Sequence, residues 1–182
     1  MSIPEEEAAL PERTVWEGKY INAKVRGRWE YVSRARNIRA AAIIAIQDGH
    51  ILLVEQYRIP LGKRCLEIPA GLIGDDDGLE GEPAEKAAAR ELEEETGYIA
   101  ARMENLGEFY SSPGMVSESF TLLRAHNLTK VSQGGGTENE NITVHRVKLA
   151  ELPKFVADWR ASGHAVDVKL AIIMAQEFIG EE

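Results

Sequence analysis

The stretch Arg90-Glu91-Leu92-Glu93-Glu94-Glu95-Thr96-Gly97-Tyr98 decides how this chain is read. It closes a segment, 83–96, in which Ala84, Ala87, Ala88 and Leu92 recur at roughly helical spacing. Pro83 suits a first helical position and Gly97 a stop just past the end. On such a helix Glu91, Glu94 and Glu95 stand at i, i+3 and i+4 and share one side, while Glu93 turns away. Three carboxylates so placed repel one another. Two unit charges about 5.5 Å apart cost roughly 3 kcal/mol at an effective dielectric of about 20. Exposed and screened, they cost only about a few tenths of a kcal/mol per pair and form an ordinary solvated face. A hard divalent cation would turn the repulsion into binding, because Mg²⁺ takes oxygen ligands and retains part of its water. Spacing alone leaves both readings open.

The surroundings of the helix are strands. Arg39 to Gln47 is nearly continuous apolar sequence ending at Asp48-Gly49, which predicts a buried strand and a tight turn. Residues 51–58 read as its hairpin partner, and Leu66-Glu-Ile-Pro-Ala-Gly71 as a short strand leading to the helix. Further strands are expected at 107–110, 119–125 and 142–147, and a packed helix at 167–178. Ahead of this body, 1–12 reads as loosely attached. Two strand-like runs then follow around 15–21 and 29–34, with Gly27 at the turn. Trp16, Tyr20, Trp29 and Tyr31 are many aromatics for one hairpin and mark a contact surface, either internal or between two copies of the chain. The division expected is 1–36 as a hairpin region and dimerisation element, and 37–182 as the main α/β domain with a mixed sheet between helices. Gly134-Gly-Gly reads as a flexible loop and not a phosphate cradle, since no strand–helix pattern frames it.

Composition excludes several classes. A net charge of −9 argues against general nucleic-acid binding. It leaves small anionic substrates open, because a bound metal reverses the local field. No apolar run approaches the roughly 20 residues of a membrane helix, so no membrane partner is expected. Cys65 is the single cysteine, which excludes an intrachain disulfide and suits a reducing, cytoplasmic setting.

Glu82, seven intervening residues, and then Arg90-Glu-Leu-x-Glu-Glu-x-Gly-Tyr together resemble the signature of the Nudix hydrolases, with Gly71 as the upstream glycine. The departure is a lengthened acidic loop, with five residues more than the pattern between Gly71 and Glu82. The resemblance implies a Nudix α/β/α sandwich and hydrolysis of a pyrophosphate bond with Mg²⁺, or Mn²⁺ as a substitute. Residue by residue it implies metal ligation by Glu91, Glu94, Glu95 and the carbonyl of Ala70, and an orienting ion pair of Glu82 with Arg90. Glu94 and Glu95 are counted as catalytic for that reason. Ser112-Pro-Gly-Met-Val-Ser-Glu118 resembles a loop of ADP-ribose pyrophosphatases, which makes Glu118 the candidate general base, with Glu138 and Glu140 as rivals. That loop, through Pro113 and Gly114, is expected to swing over the substrate. Arg58 resembles a substrate-contacting arginine, its planar fork suiting phosphate oxygens, with Arg64 as a weaker candidate. Trp29 is placed at the substrate by the aromatic hairpin. His50, His126, His145 and His164 lack partner spacing and read as structural.

The substrate so implied is a nucleoside diphosphate sugar, with ADP-ribose first and GDP-mannose or another nucleotide sugar as the alternative. From a different class stands a non-catalytic nucleotide sensor, against which the complete set of carboxylates argues. Such relatives are homodimers, so a homodimer is expected.

Overall fold

The computed structural model describes residues 3–74, 81–137 and 140–175. The acidic loop 75–80, Glu138 and the end of the C-terminal helix expected to 178 lie outside the described residues.

The centre is β4 (Arg39–Gln47). It pairs in parallel with β9 (Ser119–Lys130), and antiparallel with β7 (Ala70–Ile73) and, at its far end, with β5 (His50–Arg58). With β6 (Lys63–Glu67), β8 (Tyr98–Tyr110), β10 (Thr143–Lys148) and β11 (Ala165–Val166) these strands form a mixed eight-stranded sheet.

The apolar run of β4 follows from burial on both faces. Ala41, Ile43 and Ala45 pack with Ala84, Ala87, Ala88 and Leu92 of α2 (Ala84–Thr96), whereas Ala42, Ile44 and Ile46 join the opposite cluster. That second cluster includes Leu152 and Val156 of α3 (Leu152–Ala161) and Leu170 of α4 (Lys169–Ile173). Side chains alternate across a strand, so a strand between two helical layers must be apolar at every position. The result is the expected α/β/α sandwich. Alanines on α2 let the helix backbone approach the sheet, and Leu92, fully buried, is worth about 2–3 kcal/mol of apolar transfer.

Several boundaries differ from the expectation. The N-terminal hairpin is a separate three-stranded antiparallel sheet of β1 (Arg13–Glu17), β2 (Ile21–Arg26) and β3 (Trp29–Arg34). The first run is broken after Glu17 into two strands, and at the break a Cβ on Gly18 would sit 2.4 Å from the Trp16 ring. Of the segment 1–12, the described residues 3–12 are docked rather than loose: a short helix, α1 (Ile3–Ala8), precedes Glu12, which pairs with Lys24 at 2.7 Å and Arg26 at 3.1 Å and accepts from Tyr31. The single strand expected at 66–71 is two strands, β6 and β7, split at Ile68-Pro69 so that each pairs with a different neighbour. The strand expected at 107–110 is the end of the long β8, and α3 is a helix that the sequence reading did not mark.

Candidate active site

The acidic helix is held by its ends. Pro83, extended at φ −60° and ψ 139°, precedes the first turn as N-cap rather than entering it. At the other end Gly97 turns left-handed at φ 75° and donates to the Glu93 carbonyl at 2.8 Å. The next two carbonyls are satisfied from a distance: Gly136 N–H donates to Glu94 O and Gly135 N–H to Glu95 O, each at 2.9 Å. This corrects the flexible-loop reading of Gly134-Gly-Gly. A Cβ on Gly134 would sit 2.4 Å from the Thr96 carbonyl carbon, so only glycine allows this cap.

The carboxylates beside that cap differ sharply. Glu95 is 3% exposed and accepts Ala70 N–H at 2.9 Å and Gln56 Nε2–H at 3.0 Å. Burial pushes its carboxyl up to about 8, against the pull of the Ala70 hydrogen bond and with the charges of Glu91 and Glu140 adding to the push. Burial likewise raises Glu91 to about 7, with Arg90 opposing it and Glu94 and Glu140 adding to it. Glu91 fills the place where Gly71 lacks a side chain: a Cβ there would lie 1.9 Å from Glu91 Cδ. Glu94 is on the solvent side, 3.3 Å from Arg90. Arg90 lies 2.9 Å from Glu91 and 3.3 Å from Glu94 and reaches Glu82 only at 4.0 Å, so the expected ion pair is part of a larger cluster.

Glu91 and Glu95 open on a cavity of about 370 Å³ also lined by Ala70, Gly71, Arg58, Glu118 and Glu140. Period-two alternation on β5 explains Arg58 and Gln56: Leu52 faces the α2 core, and positions 56 and 58 continue that face. Arg64 and Glu55 face the other way and pair at 2.6 Å, with His145 at 2.8 Å from Glu55. His126, beside Glu104, and His164, against Trp159, also lie outside the cavity. So does His50, whose Nδ1 is 2.8 Å from the Asp48 carbonyl. Arg58 is clamped in a bidentate pair with Glu67, at 2.6 and 2.8 Å. Glu118 pairs with Arg34 of β3.

The loop carrying Glu118 does not hang free. Val32 N–H donates to Met115 O at 3.0 Å and Ser117 N–H to Val32 O at 2.9 Å, which sews the loop to β3. Trp29, Pro113 and Gly114 line a second cavity of about 470 Å³ with Tyr31 and Val116. A smaller one of about 140 Å³ shares Val116 with it and Arg34 and Glu118 with the first. Four cavity residues were missed by sequence reading. Glu67 carries a local signal, a polar side chain between apolar Leu66 and Ile68, whereas Gln56, between Glu55 and Tyr57, carries none although both are buried. Arg34 and Lys169 come from opposite ends of the chain and carry none.

This arrangement agrees with what comparison shows. The NUDIX domain model matches residues 36–165. The chain belongs to the Nudix hydrolase family. It is 32% identical over 180 residues to the methanol dehydrogenase activator of Bacillus methanolicus, covering 94% of this chain and 95% of that one. It is 33% identical over 159 residues to the ADP-ribose pyrophosphatase of Bacillus subtilis, covering 83% of each. A crystal structure of an ADP compounds hydrolase shares its fold at TM-score 0.68 and 24% identity, over 94% of this chain and 93% of that one.

Nudix hydrolases use divalent metal ions, and the donor set suits one. Glu91 and Glu95 are desolvated carboxylates that repel each other, with Glu140 adding to both, and the opposing charges of Arg90 and Arg58 still leave both carboxyls raised. Among the described residues no three acidic, imidazole or thiolate side chains close into a ready cage. A hard cation held by one or two carboxylates, with water and substrate phosphate completing its shell, needs none.

Proposed function

We propose that this Nudix hydrolase cleaves the pyrophosphate bond of a nucleoside diphosphate sugar, with ADP-ribose the leading substrate and AMP and ribose 5-phosphate the products. The observation that carries this reading is the run of three adjoining cavities from Trp29 to Glu91, elongated as such a substrate is. Trp29, beside Pro113 and Gly114, offers a face for the base, and Arg34 and Arg58, paired through Glu118 and Glu67, bring positive charge and their remaining N–H donors to the diphosphate. Glu91 and Glu95, with Glu94 and the Ala70 carbonyl, would hold Mg²⁺, for which Mn²⁺ can substitute. When bound, the cation supplies charge neutralisation at the phosphate oxygens and a more acidic water.

Hydrolysis adds water oxygen to one phosphorus and breaks its bond to the bridging oxygen, which leaves on the other phosphate. The proton lost by water needs an acceptor. Glu118 is the first candidate, because it lines the cavity and is held there by its pair with Arg34. Glu140 is the second reading. Its charge is felt by both Glu91 and Glu95, and Thr137 N–H fixes its Oε2 at 2.8 Å.

The exposed aromatics of the N-terminal sheet, with Trp16 at 56%, Tyr20 at 63% and Trp29 at 45% exposure, support residues 1–36 as a homodimerisation element. Buried, uncrosslinked Cys65, with its thiol pushed up to about 12 mainly by burial, suits a reducing cytoplasm.

The test is a panel of nucleotide sugars and nucleoside triphosphates with Mg²⁺, Mn²⁺ or chelator, and mass spectrometry of the products. ADP-ribose should exceed triphosphates by at least about 100-fold in kcat/KM, equivalent to about 3 kcal/mol. A preference for GDP-mannose would overturn the substrate and keep the chemistry. Full activity in chelator would overturn the metal reading.

A further inference from the structure

A groove lies on the α2 side of the sheet, away from the catalytic cavity. It consists of two adjoining cavities of about 380 and 360 Å³ that share Leu52, Tyr98, Lys130 and Arg146. Buried Leu52 and half-buried Tyr98 form its floor, and the two cations stand exposed at its rim. Lys130 Nζ lies 5.7 Å from the Tyr98 ring centroid. Among the described residues neither Lys130 nor Arg146 has a carboxylate in ion-pairing reach, and Asp48 is the one acidic residue in the lining. On a chain of net charge −9 two unpaired cations facing one groove are a local reversal of field.

We propose that this groove is a second ligand site, for a small phosphomonoester whose phosphate meets Lys130 and Arg146 and whose organic part lies on Leu52 and Tyr98. The volume suits a small molecule, and the lining, more polar than apolar and with Tyr98 as its one half-buried ring, suits an anionic head group better than an apolar body. Two cations on one phosphate make charge-assisted hydrogen bonds, the stronger kind, and Arg adds a planar fork. The roof is formed by Gln133, Gly134 and Gly135. Gly135 and Gly136 donate to the Glu95 and Glu94 carbonyls, and the same stretch continues in sequence to Glu140. An occupant of the groove therefore bears on the segment that caps the acidic helix.

The test titrates the full-length protein, in chelator, with AMP and with inorganic phosphate. Calorimetry gives the affinity and amide shifts in nuclear magnetic resonance give the location. Binding should shift the amides of Tyr98, Gly134 and Gly135, and the exposed double variant Lys130→Ala/Arg146→Ala should lose at least about tenfold in affinity. Tighter binding of AMP than phosphate supports the phosphomonoester site, and equal binding of the two would overturn the organic contact with Leu52 and Tyr98. Shifts confined to residues of the catalytic cavity, no binding of either probe, or a double variant that binds as tightly as the parent would overturn it. Because the readout is binding without metal, it is independent of which nucleotide sugar is hydrolysed.

Discussion

Glu95→Gln should make the metal-free protein more stable at alkaline pH while abolishing hydrolysis. In the folded chain the Glu95 carboxyl is raised from 4.5 to about 8, chiefly by burial. The folded state therefore holds the proton more tightly than the unfolded state does. The stability tied to that proton is complete below pH 4.5, is lost progressively as pH rises, and is gone above about 8. At about 1.4 kcal/mol per unit the ceiling of this loss is about 5 kcal/mol, and local relaxation and water entry reduce it to about 2–4 kcal/mol. Glutamine has no proton to lose. It keeps the shape and accepts from Ala70 N–H, while the Gln56 amide turns to present its oxygen to the new donor. In chelator at pH 8, thermal melts should place Glu95→Gln above the parent by roughly 5–15 °C, at about 2–4 °C per kcal/mol for a chain of this size. At pH 5 the gap should close to about 1 kcal/mol or less. Added Mg²⁺ should stabilise the parent more than the variant. A variant no more stable than the parent at pH 8, or a gap that does not shrink at pH 5, would refute the claim that Glu95 is a buried acid whose charge its neighbours compensate only in part.

Further substitutions and one deletion probe the site. Glu118→Gln should lower kcat by about 10² to 10⁴-fold with little change in KM; a near-normal rate, with that loss appearing in Glu140→Gln instead, transfers the base role. Gly71→Ala forces Glu91 out of the space its Cβ takes, so it should cost about 1–3 kcal/mol in denaturant melts and most of the activity; wild-type behaviour would show that Glu91 does not need its present position. Deleting residues 1–36 removes the strand that holds the Glu118 loop and the exposed aromatics, and should give monomers by light scattering with a raised KM. A full-length protein that is already monomeric and fully active would refute the dimer.

Much of the architecture was local information. The α2 helix, its Gly97 stop and the side shared by Glu91 and Glu95 follow from spacing, because helix periodicity acts within a few residues. The two-sided burial of β4 was legible in its unbroken apolar run for the same reason. Tertiary structure decided what those side chains experience. Glu94 and Glu95 are neighbours in sequence, yet one pairs with Arg90 in solvent and the other is buried against Gln56 and Ala70. Desolvation depends on the whole surrounding volume, which spacing does not encode. The same holds for Gly134 to Gly136, whose role as a cap exists only because 131–136 folds back against the end of α2. It holds for Arg34 and Lys169, brought from the two ends of the chain to one cavity by strand pairing and helix packing over long separations. Sequence by itself determined the chemistry and the helix that bears it; which carboxylate is buried, what holds it and what faces it were set by contacts between residues far apart in the chain.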